Sequence, residues 1–236
     1  MKKLLINGCS FGYVWSPTKK FLNALGCDSI VNISKHATSF QRTFRSTVEW
    51  IAQNDNPDFV IIPITFAHRW ELGIAEKEED EIDGVWFPLQ MADVMPEDLN
   101  TLERKINPTV RHSKLKELLR LYYGTVPDIR TYWDKLFTEI ITLSSFLKDR
   151  RIPHLMFDMC NDFDRSLVQK WSGFNKTTLI EQNKNIVDIF NFCGNKYMWQ
   201  SKVDREGHFN VHHKPEQYLH LEAFIEQYIS QNNIIQ

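Results

Sequence analysis

The sequence predicts an α/β domain on a parallel sheet, and three observations carry the expectation. Apolar runs of strand length recur along the chain, each closed by a polar or glycine-containing turn. Between them lie longer stretches in which apolar residues return every three or four positions. The two kinds alternate, which implies right-handed βαβ units, because parallel neighbours need a crossover connection.

The first run, Lys3-Leu4-Leu5-Ile6-Asn7, reads as a buried strand stopped by the tight loop Gly8-Cys9-Ser10-Phe11-Gly12. A second short strand, Ser29-Ile30-Val31-Asn32-Ile33, leads through a polar turn into a helix marked by Phe40, Phe44, Val48 and Ile51 and ended by Asn54-Asp55-Asn56-Pro57. Asp58 to Thr65 is the clearest buried strand, with Phe59-Val60-Ile61-Ile62 at its centre. A long helix over Tyr132 to Arg150 carries the stripe Leu136, Phe137, Ile140, Ile141, Leu143 and Leu147, and the strand His154 to Asp158 follows it. Pro215 to Ile229 closes the domain as an amphipathic helix through Tyr218, Leu221, Phe224, Ile225 and Tyr228.

The rhythm breaks between about 75 and 127. The acidic run Glu76 to Glu81 reads as a solvated face, while Val85 to Leu89 and Leu115 to Tyr123 supply apolar anchors. The expectation is one domain over 1–236 with this stretch as an insertion packed over a sheet edge.

Composition narrows the function. With 42% hydrophobic and 25% charged residues, collagen-like and disordered classes are excluded and a sizeable core is available. Lys+Arg 28 against Asp+Glu 30 leaves a net charge of -2, so no global field draws nucleic acid or an anionic membrane, and small molecules or neutral polymers are the expected partners. Cys9, Cys27, Cys160 and Cys193 lie far apart, which indicates neither a zinc ribbon nor a disulfide scaffold. Asn7 and Gly8 cut short the apolar start, and no run approaches membrane-span length, so a reduced cytoplasmic protein is expected.

In an open parallel sheet, ligands bind beyond the C-terminal ends of the strands, where three polar loops of this chain converge. The first carries Ser10, a hydroxyl on a strand-to-helix turn and a candidate nucleophile; the alternative is that Ser10 only caps the following helix. The second, Ser34 to Ser39, offers a backbone N–H at Ala37 for an oxyanion hole. The third follows the strongest strand, where Thr65 is a further donor and Arg69 with Glu71 forms a bracing ion pair. Near the C-terminus, Asp204 to His213 concentrates His208, His212 and His213, and an imidazole there can take the Ser10 proton if Asp204 or Glu206 holds its other nitrogen. The competing reading is a metal site of His208 and His212 with Asp158, Asp162 or Asp164, though no H-E-x-x-H or cysteine at ligand spacing accompanies them. Trp70, Trp86, Phe87, Tyr122 and Tyr123 read either as insertion core or as a carbohydrate-facing wall.

The order of these blocks resembles the SGNH (GDSL-like) hydrolase family, in its subgroup with a G-C-S-F first block found in bacteria and phages. Gly8-Cys9-Ser10-Phe11 matches that block. Asn32-Ile33-Ser34, the helix Arg45-Ser46-Thr47-Val48-Glu49-Trp50 and the T-x-x-x-R-x-E set of Thr65, Arg69 and Glu71 follow in order, and the likeness covers the chain apart from the insertion.

The resemblance implies a three-layer α/β/α sandwich with a central parallel sheet, the flavodoxin-like arrangement, here with a lid-like inserted segment. It implies a serine esterase without cofactor or metal. Its substrate would be a small-molecule or carbohydrate ester, such as an acetyl ester, cleaved through an acyl-serine. Ser10 stands at the nucleophile, Ser10 and Ala37 at oxyanion N–H donors, and Thr65 where the family has asparagine, a departure that shortens the third donor. The family's last block is D-x-x-H before a helix. Asp204 to His208 has one residue more, whereas His212 has the family's spacing to the final helix but puts Phe209 at the aspartate position. His208 with Asp204 is the preferred pair and His212 the alternative base. A non-catalytic ligand-binding protein and an O-acyltransferase are the rival functions on the same residues.

Overall fold

The structure, a computed structural model, describes residues 1–35, 38–64, 70–73, 86–89, 129–158, 179–180, 182–187, 202–203, 209–210 and 215–235. In chain order the described strands are β1 (Lys3–Ile6), β2 (Ser29–Asn32), β3 (Phe59–Ile64), β4 (Trp70–Gly73), β5 (Trp86–Leu89), β6 (His154–Asp158), β7 (Ile186–Val187), β8 (Lys202–Val203) and β9 (Phe209–Asn210). The described helices are α1 (Ser10–Val14), α2 (Lys19–Ala24), α3 (Phe40–Gln53), α4 (Ile129–Asp149) and α5 (Pro215–Asn232).

Five strands form one sheet in the order β2-β1-β3-β6-β7, and every neighbouring pair is parallel. Period-two alternation divides the core between the two faces of this sheet. Leu4, Ile6, Phe59, Ile61, Leu155 and Phe157 pack under α1, α2 and α5, through Phe11, Phe21, Leu221 and Ile225. Leu5, Val60, Ile62, Ile64 and Met156 face the other way, against Phe40 and Ile51 of α3 and Phe137, Ile140 and Leu143 of α4. The result is a three-layer α/β/α sandwich, and it explains why β3, covered on both sides, is buried at all six positions. Truncating a fully buried residue such as Phe137 to alanine costs on the order of 3–5 kcal/mol.

Pro63 sits in this central strand without breaking it. Ile61 O accepts from Asn7 N at 3.2 Å, so two residues later Pro63 turns its missing N–H toward the same side, where β1 has already ended. On the other side β3 keeps its register with β6 through Ile64 and Asp158.

The expected strands and helices hold to within a few residues. α2 and β7 were not anticipated: α2 is six residues long and β7 two, too short to show a period. Two antiparallel ribbons, β4 with β5 and β8 with β9, stand apart from the central sheet. Residues 74–85 and 90–128, most of the expected insertion, lie outside the described residues. No described helix is long and apolar enough to cross a membrane.

Candidate active site

The chain leaves β1 toward β2 on one side and later returns to β3 on the other. The C-terminal end of β1 is therefore the topological switch point of the sheet, the place where open α/β sheets leave a crevice. Asn7 anchors the chain there. Its Nδ2 lies 3.0 Å from Thr43 O, 2.9 Å from Ser46 Oγ and 2.8 Å from Thr47 Oγ1, while its Oδ1 accepts from Arg42 Nη1 at 3.4 Å. Both hydroxyls donate back to carbonyls of α3, Ser46 to Arg42 O and Thr47 to Thr43 O, which leaves their lone pairs for Asn7. Arg42, buried, also donates to Ile33 O at 3.1 Å, so one side chain of α3 holds the ends of both β1 and β2.

Gly8 comes next, and a Cβ there would meet Pro63 O at 3.0 Å. A side chain at this position would require the loop or β3 to give by a few tenths of an ångström. Cys9 then holds the N-cap position in extended backbone and its carbonyl accepts from Tyr13 N at 3.1 Å, but its side chain makes no cap bond. Ser10 is therefore the first helical residue, and its role as the cap of α1 is overturned. The Ser10 side chain is 6% exposed, and its hydroxyl has no hydrogen-bond partner among the described residues. As the first residue of the helix, its N–H has no carbonyl four residues back within the helix.

The second loop meets the first. Lys35 N donates to Gly8 O at 3.1 Å, Asn32 Nδ2 donates to Gly12 O at 2.8 Å, and Ser34 N donates to Asn32 Oδ1 at 3.0 Å. Thr38 Oγ1 donates to Lys35 O at 3.1 Å, and Ser39 caps α3 by accepting Arg42 N at 3.1 Å. The third loop starts from Ile64, with buried Asp158 beside it in the sheet.

Of the site residues expected from sequence, Ser10 is described. Ala37, Thr65, Asp204, His208 and His212 lie outside the described residues, as do Arg69, Asp162, Asp164, Glu206 and His213. Their chain neighbours are informative: Val203 and Phe209, adjacent to Asp204 and His208, are Cα partners across the antiparallel ribbon. No group of three or more metal-ligating side chains occurs among the described residues.

No family model matches the chain, and no curated protein matches it. Among solved structures it is similar to TesA, at 11% identity and a TM-score of 0.49 over 99% of this chain and 100% of that one. It is similar also to the psychrotrophic esterase EstA from Pseudoalteromonas sp., at 10% identity and a TM-score of 0.45 over 98% of each chain. The fold assignment rests on the sheet order and register, not on these likenesses.

Sequence reasoning passed over two parts of this site. In sequence Asn7 is only the polar end of an apolar run, and the signal that it does more is the Thr43, Ser46, Thr47 face of α3, a polar stripe on a helix that must pack on a sheet. The other part lies on α5, where Tyr218 and Glu222 reach the segment just after Ser10.

Proposed function

We propose that the chain is a serine hydrolase that cleaves an ester, with Ser10 as the nucleophile. The position of Ser10 carries the reading: a hydroxyl on the first helical residue beyond β1, at the switch point of a parallel sheet, with no capping task. The G-C-S-F block and the order of the later blocks support the same assignment.

In this mechanism His208 removes the Ser10 proton while Asp204 holds the other ring nitrogen, with His212 as the alternative base. The pairing of Val203 with Phe209 supports the dyad, because it brings together the chain on either side of those two residues. Ser10 Oγ attacks the ester carbonyl. The N–H groups of Ser10 and Ala37 and the Thr65 hydroxyl receive the developing oxyanion, the alcohol leaves with the proton from His208, and water releases the acid. The substrate is a small acyl ester, such as an acetyl group on a carbohydrate or another small molecule.

The test is covalent trapping. Fluorophosphonate should label Ser10, and Ser10→Ala should lose both the label and turnover of a chromogenic short-chain ester while keeping its circular dichroism. An unlabelled wild-type protein, or a mutant as active as wild type, would overturn the assignment.

A further inference from the structure

We infer that Glu222 and Tyr218 are positioning residues that fix the segment carrying Ser10, an inference that rests on the reading of Ser10 as nucleophile. α1 is five residues long, too short to be stable alone, and the chain leaves it at Trp15 in extended backbone. Its last carbonyls thus need partners from elsewhere. Tyr218 supplies one, its hydroxyl donating to Phe11 O at 3.2 Å, one residue after Ser10. Burial, with Cys9 close by, pushes the Tyr218 phenol well above its ordinary value, so it remains a donor.

Glu222 holds the other end of the segment. Its Oε1 accepts from Trp15 Nε1 at 3.2 Å and from Thr18 N at 3.0 Å, and its Oε2 accepts from Thr18 Oγ1 at 2.5 Å. Thr18 Oγ1 in turn accepts from Phe21 N at 3.2 Å and caps α2, so the carboxylate fixes two helices at once. The Trp15 ring stacks on Tyr218 with centroids 6.3 Å apart and planes at 15°.

Glu222 lies on the apolar stripe of α5, beside fully buried Leu221 and Ile225, and is itself 4% exposed. A carboxylate there is costly to desolvate, and an apolar residue of similar volume would serve stability as well. What the carboxylate adds is direction: three donors from residues 15 and 18 aim at one group. α5 begins at Pro215, shortly after His208 and His212. One rigid helix therefore grips the segment carrying Ser10 and follows directly on the stretch carrying both candidate bases. Reacting groups tolerate little displacement, since a shift of about 1 Å can cost on the order of a hundredfold in rate.

Glu222→Gln keeps the shape but turns one acceptor into a donor facing donors. The expected result has two parts, read on the whole protein with unchanged circular dichroism. The Tyr13 amide, bonded to Cys9 O, exchanges its hydrogen at least tenfold faster while the Leu5 and Val60 amides do not change, and kcat for a chromogenic ester falls at least tenfold with KM within twofold. Tyr218→Phe, which keeps the ring stack, should do the same to a smaller degree and serves if Glu222→Gln does not fold. Unchanged Tyr13 exchange, or faster exchange with unchanged kcat, overturns the inference. A wild-type protein that neither turns over the ester nor takes the fluorophosphonate label overturns the Ser10 reading instead, and the exchange result still decides whether α5 clamps the segment.

Discussion

Gly12 and Ser34 are in direct contact: a Cβ on Gly12 would lie 2.5 Å from Ser34 Oγ and 3.2 Å from Ser34 Cβ. Ser34 is buried, and its hydroxyl has no hydrogen-bond partner among the described residues. Gly12→Ala should therefore destabilise by about 1–3 kcal/mol, as overpacking does. Ser34→Ala, which removes an unsatisfied hydroxyl, should be neutral or stabilising by up to about 1 kcal/mol. The double mutant should recover part of the loss, with a coupling above about 0.5 kcal/mol in urea titrations. Strict additivity would mean the two residues do not meet.

Removing Asn7 should be felt in α3. Asn7→Ala leaves a gap between β1 and α3 and takes the Oδ1 acceptor from buried Arg42, so a loss of about 2–4 kcal/mol is expected. Thr47→Val, which removes one hydroxyl of the network, should cost less, about 1–2 kcal/mol. Urea midpoints for the two variants in the reverse order would show that Asn7 does not hold the end of β1.

Much of this architecture was legible beforehand, for identifiable reasons. β3 is a continuous apolar run because helices cover both faces, and α4 shows its stripe because one side meets the sheet. Ser10 could be located since a tight Gly-Cys-Ser loop closes an apolar strand. Glu222 could not be read in this way. In sequence it is one of the acids spaced along a partly polar helix, and only the fold brings Trp15 and Thr18 to it from more than two hundred residues away. β7 was hidden for another reason: two residues set no alternation, and Ile186 and Val187 pair with β6 only once β6 exists.

His154 predicts a pH dependence at the opposite end of the sheet. Its Nδ1 lies 3.0 Å from Ile152 O and its Nε2 lies 2.8 Å from Ser144 Oγ, both buried, and burial pushes its pKa down from 6.5 to about 4. The folded protein keeps this ring neutral while the unfolded chain takes up a proton below pH 6.5, so its contribution is full above that pH and is lost as pH falls toward 4. The slope is about 1.4 kcal/mol per pH unit, or about 3 kcal/mol across the window. Urea titrations at pH 7.5 and 4.5 should show a larger drop for wild type than for His154→Leu, whatever the absolute stability of the mutant. Equal drops would rule out His154 as the source.

Thr65→Ala tests the oxyanion hole. If the Thr65 hydroxyl meets the developing charge, kcat should fall by on the order of a hundredfold with KM little changed. Thr65→Asn, which installs the longer carboxamide donor, should retain more activity than the alanine variant. Equal kcat for Thr65→Ala and wild type would remove Thr65 from the mechanism.

The closure of α5 over α1 and α2 also sets an order of events during synthesis. All five strands of the central sheet leave the ribosome before that helix, and until it docks the face made by Leu4, Ile6, Phe59, Ile61, Leu155 and Phe157 lacks its principal cover. A nascent polypeptide of this kind presents a sticky, unfinished surface to chaperones, and a stop codon just before Pro215 would leave that face with only the short α1 and α2 to cover it.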